Sequence, residues 1–112
     1  MITTHILDVS KGRPASGVPV TLEYFADSTT WRELGRDVTN ADGRATNLLS
    51  SDSTLQPGTY KLSFDTSAYF ASQNIDSFYP EVTVTFLVND ALQHYHVPLL
   101  LSPFGFSTYR GS

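Results

Sequence analysis

The sequence predicts an all-β protein: an antiparallel β-sandwich with one short helix. Three observations carry this. Apolar residues recur with a period of two in several segments, turn-forming residues separate those segments at short intervals, and a single stretch breaks the alternation.

Gly12, Pro14 and Gly17 are the first turn signals, and they lead into the strand at residues 18–24. There Val18, Val20, Leu22 and Tyr24 alternate with Pro19, Thr21 and Glu23, so one face is apolar and the other polar. Asp42 and Gly43 point to a tight type I′ hairpin, since that pair tolerates consecutive positive φ angles; residues 31–39 and 44–49 would be its strands. Beyond Pro57 and Gly58, Tyr60, Leu62 and Phe64 alternate with Lys61, Ser63 and Asp65. The helix is expected over residues 66–72, where Asp65 or Thr66 can cap the first N–H groups and Ala68, Tyr69, Phe70 and Ala71 show no alternation. Over residues 81–88, Val82, Val84, Phe86 and Val88 face one way and Thr83, Thr85 and Leu87 the other. Asn89 and Asp90 form the next turn signal. In residues 93–101, Tyr95, Val97, Leu99 and Leu101 share one face, which leaves His94 and His96 on the opposite face, away from the core. Pro103 closes the series.

The length of 112 residues, 40% of them hydrophobic, fits one domain spanning 1–112. A domain this small buries a modest fraction of its surface, so a symmetric oligomer would hide further apolar area. The net charge of −4 and the lack of a Lys/Arg stripe disfavour nucleic-acid binding. With no cysteine there is neither a disulfide framework nor a thiolate nucleophile. The opening residues lack the basic and long apolar regions of a secretory signal, and no apolar run approaches the roughly 18 residues of a membrane span. The expectation is a cytoplasmic protein.

His5, His94 and His96 are the informative polar residues. By spacing alone, His94 and His96 read as a solvent-facing strand face or as a chance His-x-His pair. The partners that would complete a zinc site are missing from the pattern, so no metal is expected. No serine sits in a Gly-x-Ser-x-Gly elbow, and Arg44 by itself reads as a surface residue beside a turn.

The segment from His94 to Ser112, HYHVPLLLSPFGFSTYRGS, closely resembles the C-terminal signature of the 5-hydroxyisourate hydrolases of the transthyretin-like family. THILDVSKGRPASGVPVTLE, DVTNADGRATNLL and PGTYKLSFDTSAYF resemble that family's earlier segments in order, so the likeness covers nearly the whole chain. It implies two four-stranded sheets and a homotetramer, a dimer of dimers with active sites at the dimer–dimer interface. It further implies a cofactor-free hydrolase that opens the six-membered ring of a small-molecule substrate, 5-hydroxyisourate, in urate breakdown.

Position by position, the family's first functional histidine falls on His5, its arginine on Arg44 and its second histidine on His96, while its terminal motif falls on Tyr109, Arg110, Gly111 and Ser112. The implied catalytic set is His5, Arg44, His96 and Ser112, with His5, Arg44 and Tyr109 binding substrate. Which histidine is the general base stays open. Phe104 and Phe106 stand where the family more often has tyrosine. The rival implied by the same fold is a carrier of an aromatic, hormone-like ligand; carriers lack the His, Arg, His set and the Tyr-Arg-Gly-Ser tail. A structural adhesion module would leave that tail without a role.

Overall fold

Strands with one apolar and one polar face must bury the apolar one, and here two sheets do so against each other. The computed structural model describes residues 1–50 and 53–112. In chain order the elements are β1 (Ile2–Asp8), β2 (Arg13–Pro14), β3 (Pro19–Ala26), β4 (Thr30–Val38), β5 (Arg44–Ala45), β6 (Gly58–Phe64), α1 (Thr66–Ala71), β7 (Val82–Val88), β8 (Tyr95–Ser102) and β9 (Gly105–Thr108). One sheet has the order β4-β3-β6-β7; the other has the order β2-β1-β8-β9, with β5 also pairing β1.

The predicted alternation is what fills the core. Val20 and Leu22 of β3, Tyr60, Leu62 and Phe64 of β6, and Val82 and Val88 of β7 are buried against Ile2 and Ile6 of β1 and Val97, Leu99 and Leu101 of β8. Each such side chain, fully buried, contributes about 1.5–3 kcal/mol. The helix forms within a residue of its expected bounds because the Asp65 carboxylate accepts from the Ala68 N–H at 3.2 Å. Its Tyr69 hydroxyl donates to the fully buried Asp8 carboxylate at 2.7 Å, which ties the helix to β1. Among the described residues no helix is long and apolar enough to cross a membrane.

Two sheets and one short helix are as expected, and three details differ. First, the sandwich is not wholly antiparallel, because β1 and β8 run parallel along their whole length. Hairpins impose antiparallel pairing only on strands joined by short turns, and the chain runs through the other sheet between these two. Second, β1 carries β5 in addition to the four-strand path, so that sheet has five strands. Third, β4 pairs with β3, and β5 pairs with β1; they are not hairpin partners of each other. The turn between them is a three-residue loop, not type I′. Gly43 has φ +75° while Asp42 is not among the positive-φ residues, the Gly43 N–H donates to Asn40 O at 2.9 Å, and the Asn40 N–H donates to Arg44 O at 2.9 Å. The Asn40 side-chain oxygen also accepts from the Asp42 and Arg44 N–H groups. The chain therefore reverses just before Arg44, and the Ile6 N–H, donating to Gly43 O at 2.8 Å, docks the turn onto β1.

Candidate active site

Residues directly opposite one another on adjacent strands point to the same side of a sheet, and so do residues two apart on one strand. On β1, Thr3 and His5 share a side. Thr3 lies opposite His96 of β8, and His5 lies opposite Arg44 of β5. Thr3, His5, Arg44 and His96 therefore stand on one face of the sheet, with β1 in the middle and the other two strands on its flanks. Two strand spacings separate the flanks, about 10 Å, enough for a small planar ring to lie between Arg44 and His96.

The C-terminal segment closes one side. The Gly111 N–H donates to His96 O at 2.8 Å, and Gly111 forms a β-bridge with His96. Arg110 anchors this segment, its Nη2 donating to Gln93 Oε1 at 2.8 Å while its guanidinium lies 4.5 Å from the Tyr95 ring centre. The result is an open cleft of about 630 Å³ lined by Thr3, Arg44, Asn47, His94, His96 and Ser112, among others. Only Gly fits at 111: a Cβ there would lie 2.6 Å from His96 Cδ2 and 3.2 Å from Pro98 Cγ. Gly111→Ala is expected to cost about 1–3 kcal/mol of stability through overpacking and to lift the tail from β8. Hydrogen exchange at the residue-111 amide should accelerate; unchanged protection would show that the ring simply turns aside.

Electrostatics favour a neutral His96. Burial disfavours its charged form, and Arg44, His94 and His5 add positive potential, so its pKa lies below the ordinary 6.5 despite an opposing hydrogen bond with the Thr3 main chain. The Thr3 hydroxyl, only 5% exposed, lies 2.8 Å from His96 Nδ1 and 2.7 Å from His94 Nε2. Arg44 is exposed, and the ion pairs found among the described residues, Arg36 with Glu33 and Lys61 with Glu23, leave it out. No three His, Asp or Glu side chains among the described residues are grouped to hold a metal ion. The cleft thus offers a neutral imidazole as proton acceptor and a guanidinium as a fixed, charged donor.

Of the residues anticipated from sequence, Arg44, His96 and Ser112 line the cleft, and His5 stands on the same sheet face beside Arg44 without lining the cleft wall. Tyr109 does not join them. Within one chain it is 57% exposed and borders a separate apolar groove with Val84, Phe86, Leu87 and Tyr95. Thr3 and His94 are members of the site that sequence reasoning does not place there. Thr3 is two residues before His5 and so shares its face, but only the parallel β1–β8 register shows that it meets His96.

A family model described as the HIUase/Transthyretin family matches residues 2–111. A probable 5-hydroxyisourate hydrolase from Caenorhabditis elegans is 50% identical over 111 residues, covering 99% of this chain and 81% of that protein. Among solved structures, Klebsiella pneumoniae 5-hydroxyisourate hydrolase matches with a TM-score of 0.84 and 38% identity, over 99% of this chain and 92% of that one. Sea bream transthyretin in complex with thyroxine matches with a TM-score of 0.91 and 32% identity, over 98% and 93%. Backbone shape therefore does not separate a hydrolase from a thyroxine binder; the side chains in the cleft have to.

Proposed function

This chain belongs to the HIUase/Transthyretin family, and from that membership and the cleft we propose that it is a hydrolase that opens the six-membered ring of 5-hydroxyisourate to 2-oxo-4-hydroxy-4-carboxy-5-ureidoimidazoline, a step of urate catabolism. The observation that carries this reading is the register that puts His5, Arg44 and His96 on one sheet face beside the tail residue Ser112. A carrier has no need of such a set, whereas hydrolysis of a cyclic amide needs a proton acceptor for water and donors where the carbonyl oxygen gains charge.

The chemistry follows from the groups present. Neutral His96 takes a proton from water as the hydroxide portion adds to the ring carbonyl, and Arg44 donates hydrogen bonds to the oxygen that becomes negative. Collapse breaks the C–N bond, and the proton returns to the departing ring nitrogen from an imidazole, His96 or His5. Ser112 orients the water or the ring. Tyr109 reaches substrate only if a neighbouring subunit or a shift of the tail brings it there. The exposed apolar side chains of Leu87, Phe104 and Phe106 support association of chains, and the proposed assembly is a homotetramer with sites at the dimer–dimer interface. The proposed setting is the cytoplasm.

The test is to generate 5-hydroxyisourate from urate with urate oxidase and to follow its ultraviolet decay with and without this protein. Decay faster than the spontaneous rate is expected, and an unchanged rate would overturn the reading. Because the pKa of His96 is lowered, its base form persists to more acidic pH. The enzymatic kcat/KM should therefore stay level through neutrality and fall only as pH drops through a value below 6.5, tracking protonation of His96. An acid limb centred above neutrality would assign the base elsewhere.

A further inference from the structure

A threonine hydroxyl carries one proton, so when it lies within hydrogen-bond reach of two imidazole nitrogens it donates to one and accepts from the other. Thr3 Oγ1 is in that position, between His96 Nδ1 at 2.8 Å and His94 Nε2 at 2.7 Å. The two rings differ in access. His96 is half-buried under the tail, whereas His94 is exposed and precedes β8, and its backbone oxygen accepts from Arg110 Nη2 at 3.4 Å. We propose that His94 and Thr3 form a relay that sets the resting His96 tautomer and passes positive charge from His96 to His94 and back during hydrolysis, making both of them positioning residues for the reaction proposed above.

The proton balance closes without another reactant. In the resting site His96 Nδ1–H donates to Thr3 Oγ1, and the Thr3 hydroxyl donates to the unprotonated Nε2 of His94. His96 Nε2 is then bare and able to accept a proton. When Nε2 takes a proton from water, the Nδ1 proton passes to Thr3 oxygen as Thr3's own proton passes to His94 Nε2. His96 is left neutral with its new proton on Nε2, the atom that can hand it to the departing nitrogen. His94 has become an imidazolium, a charge its exposure to water stabilises; as Nε2–H goes to the departing nitrogen, His94 Nε2 gives its proton back to Thr3 oxygen and the Thr3 proton returns to His96 Nδ1, which restores the resting site. Relay of the charge outward also keeps His96 from remaining cationic beside Arg44, His5 and its neighbour His94, the groups whose charges bear on it from β5, β1 and its own segment; Arg110 adds a further positive charge from the tail.

The inference rests on the hydrolase reading, so one arm of the test is independent of turnover. Thr3→Val keeps the β-branched shape and removes only the hydroxyl. In the intact protein, ring ¹⁵N NMR should show His96 protonated on Nδ1 at neutral pH, and Thr3→Val should abolish that preference while Thr3→Ser retains it. In the decay assay Thr3→Val should lower kcat about tenfold, within the range for proton-transfer groups, with KM little changed. Its acid limb should move to lower pH, because the imidazolium loses an acceptor. His94→Ala should lower kcat by a similar factor, and the double variant should be no slower than either single one, as for members of one unit. Unchanged His96 ring signals in Thr3→Val, or losses that multiply in the double variant, would overturn the relay. Wild-type protein that fails to accelerate decay would instead overturn the hydrolase reading, and the ring signals would still decide the hydrogen-bond assignment.

Discussion

His96→Ala is expected to fold as the parent does and to lose about 10²- to 10⁴-fold of the rate above spontaneous hydrolysis, the span attributed to a positioned proton-transfer group. The fold should survive because the ring lies on the outer face of β8, while the core contacts of that strand come from Tyr95, Val97, Leu99 and Leu101. The backbone hydrogen bond from Gly111 to His96 O does not depend on the side chain. The check is initial rates at matched protein concentration, corrected for the uncatalysed reaction, alongside a thermal unfolding curve. Unchanged turnover in a stable variant would remove His96 from the mechanism and leave His5 as the remaining candidate base.

Arg44→Ala should cost about 10²- to 10³-fold in kcat/KM, as expected for removing a donor aimed at a developing oxyanion. Arg44→Lys should recover only part of it, since an ammonium cannot reproduce the planar fork of a guanidinium. Local structure does not need the side chain: Asn40 holds the Arg44 N–H, and β5 is kept beside β1 by main-chain pairing. The same substitution makes a second, independent prediction. The Arg44 charge is, after burial, the largest cause of the depressed His96 pKa, so the residual activity of Arg44→Ala should show its acid limb at higher pH than the parent. A limb that stays put would mean that guanidinium and imidazole do not sense each other.

Much of this site is legible in the amino-acid sequence, though unevenly. Outward-facing His94 and His96 follow from the alternation of Tyr95, Val97, Leu99 and Leu101, and the buried pattern agrees. His5 and Arg44 are singled out by family resemblance, because a half-buried histidine on a first strand and an arginine after an Asp-Gly turn carry no signal of their own. Thr3 gives no signal either: threonine is ordinary on a strand, and its role comes from two histidines remote from it in sequence. The resemblance assigns Tyr109 to the same pocket as Ser112, and in the single chain it borders a different groove.

By itself the sequence determined which residues face inward on β3, β6, β7 and β8, where the helix is capped and where the chain turns, since these depend on the two-residue repeat of side chains and on the local chemistry of Asp, Asn, Gly and Pro. It did not determine which strand lies beside which, or in what direction. The main-chain hydrogen bonds that join strands are nearly the same for every residue, so neighbours are selected by how two whole sheets close over a shared core. The tertiary structure alone therefore decided that β8 runs parallel to β1 and that β5 joins the opposite edge of β1, and those two pairings bring the imidazoles and the guanidinium onto one face.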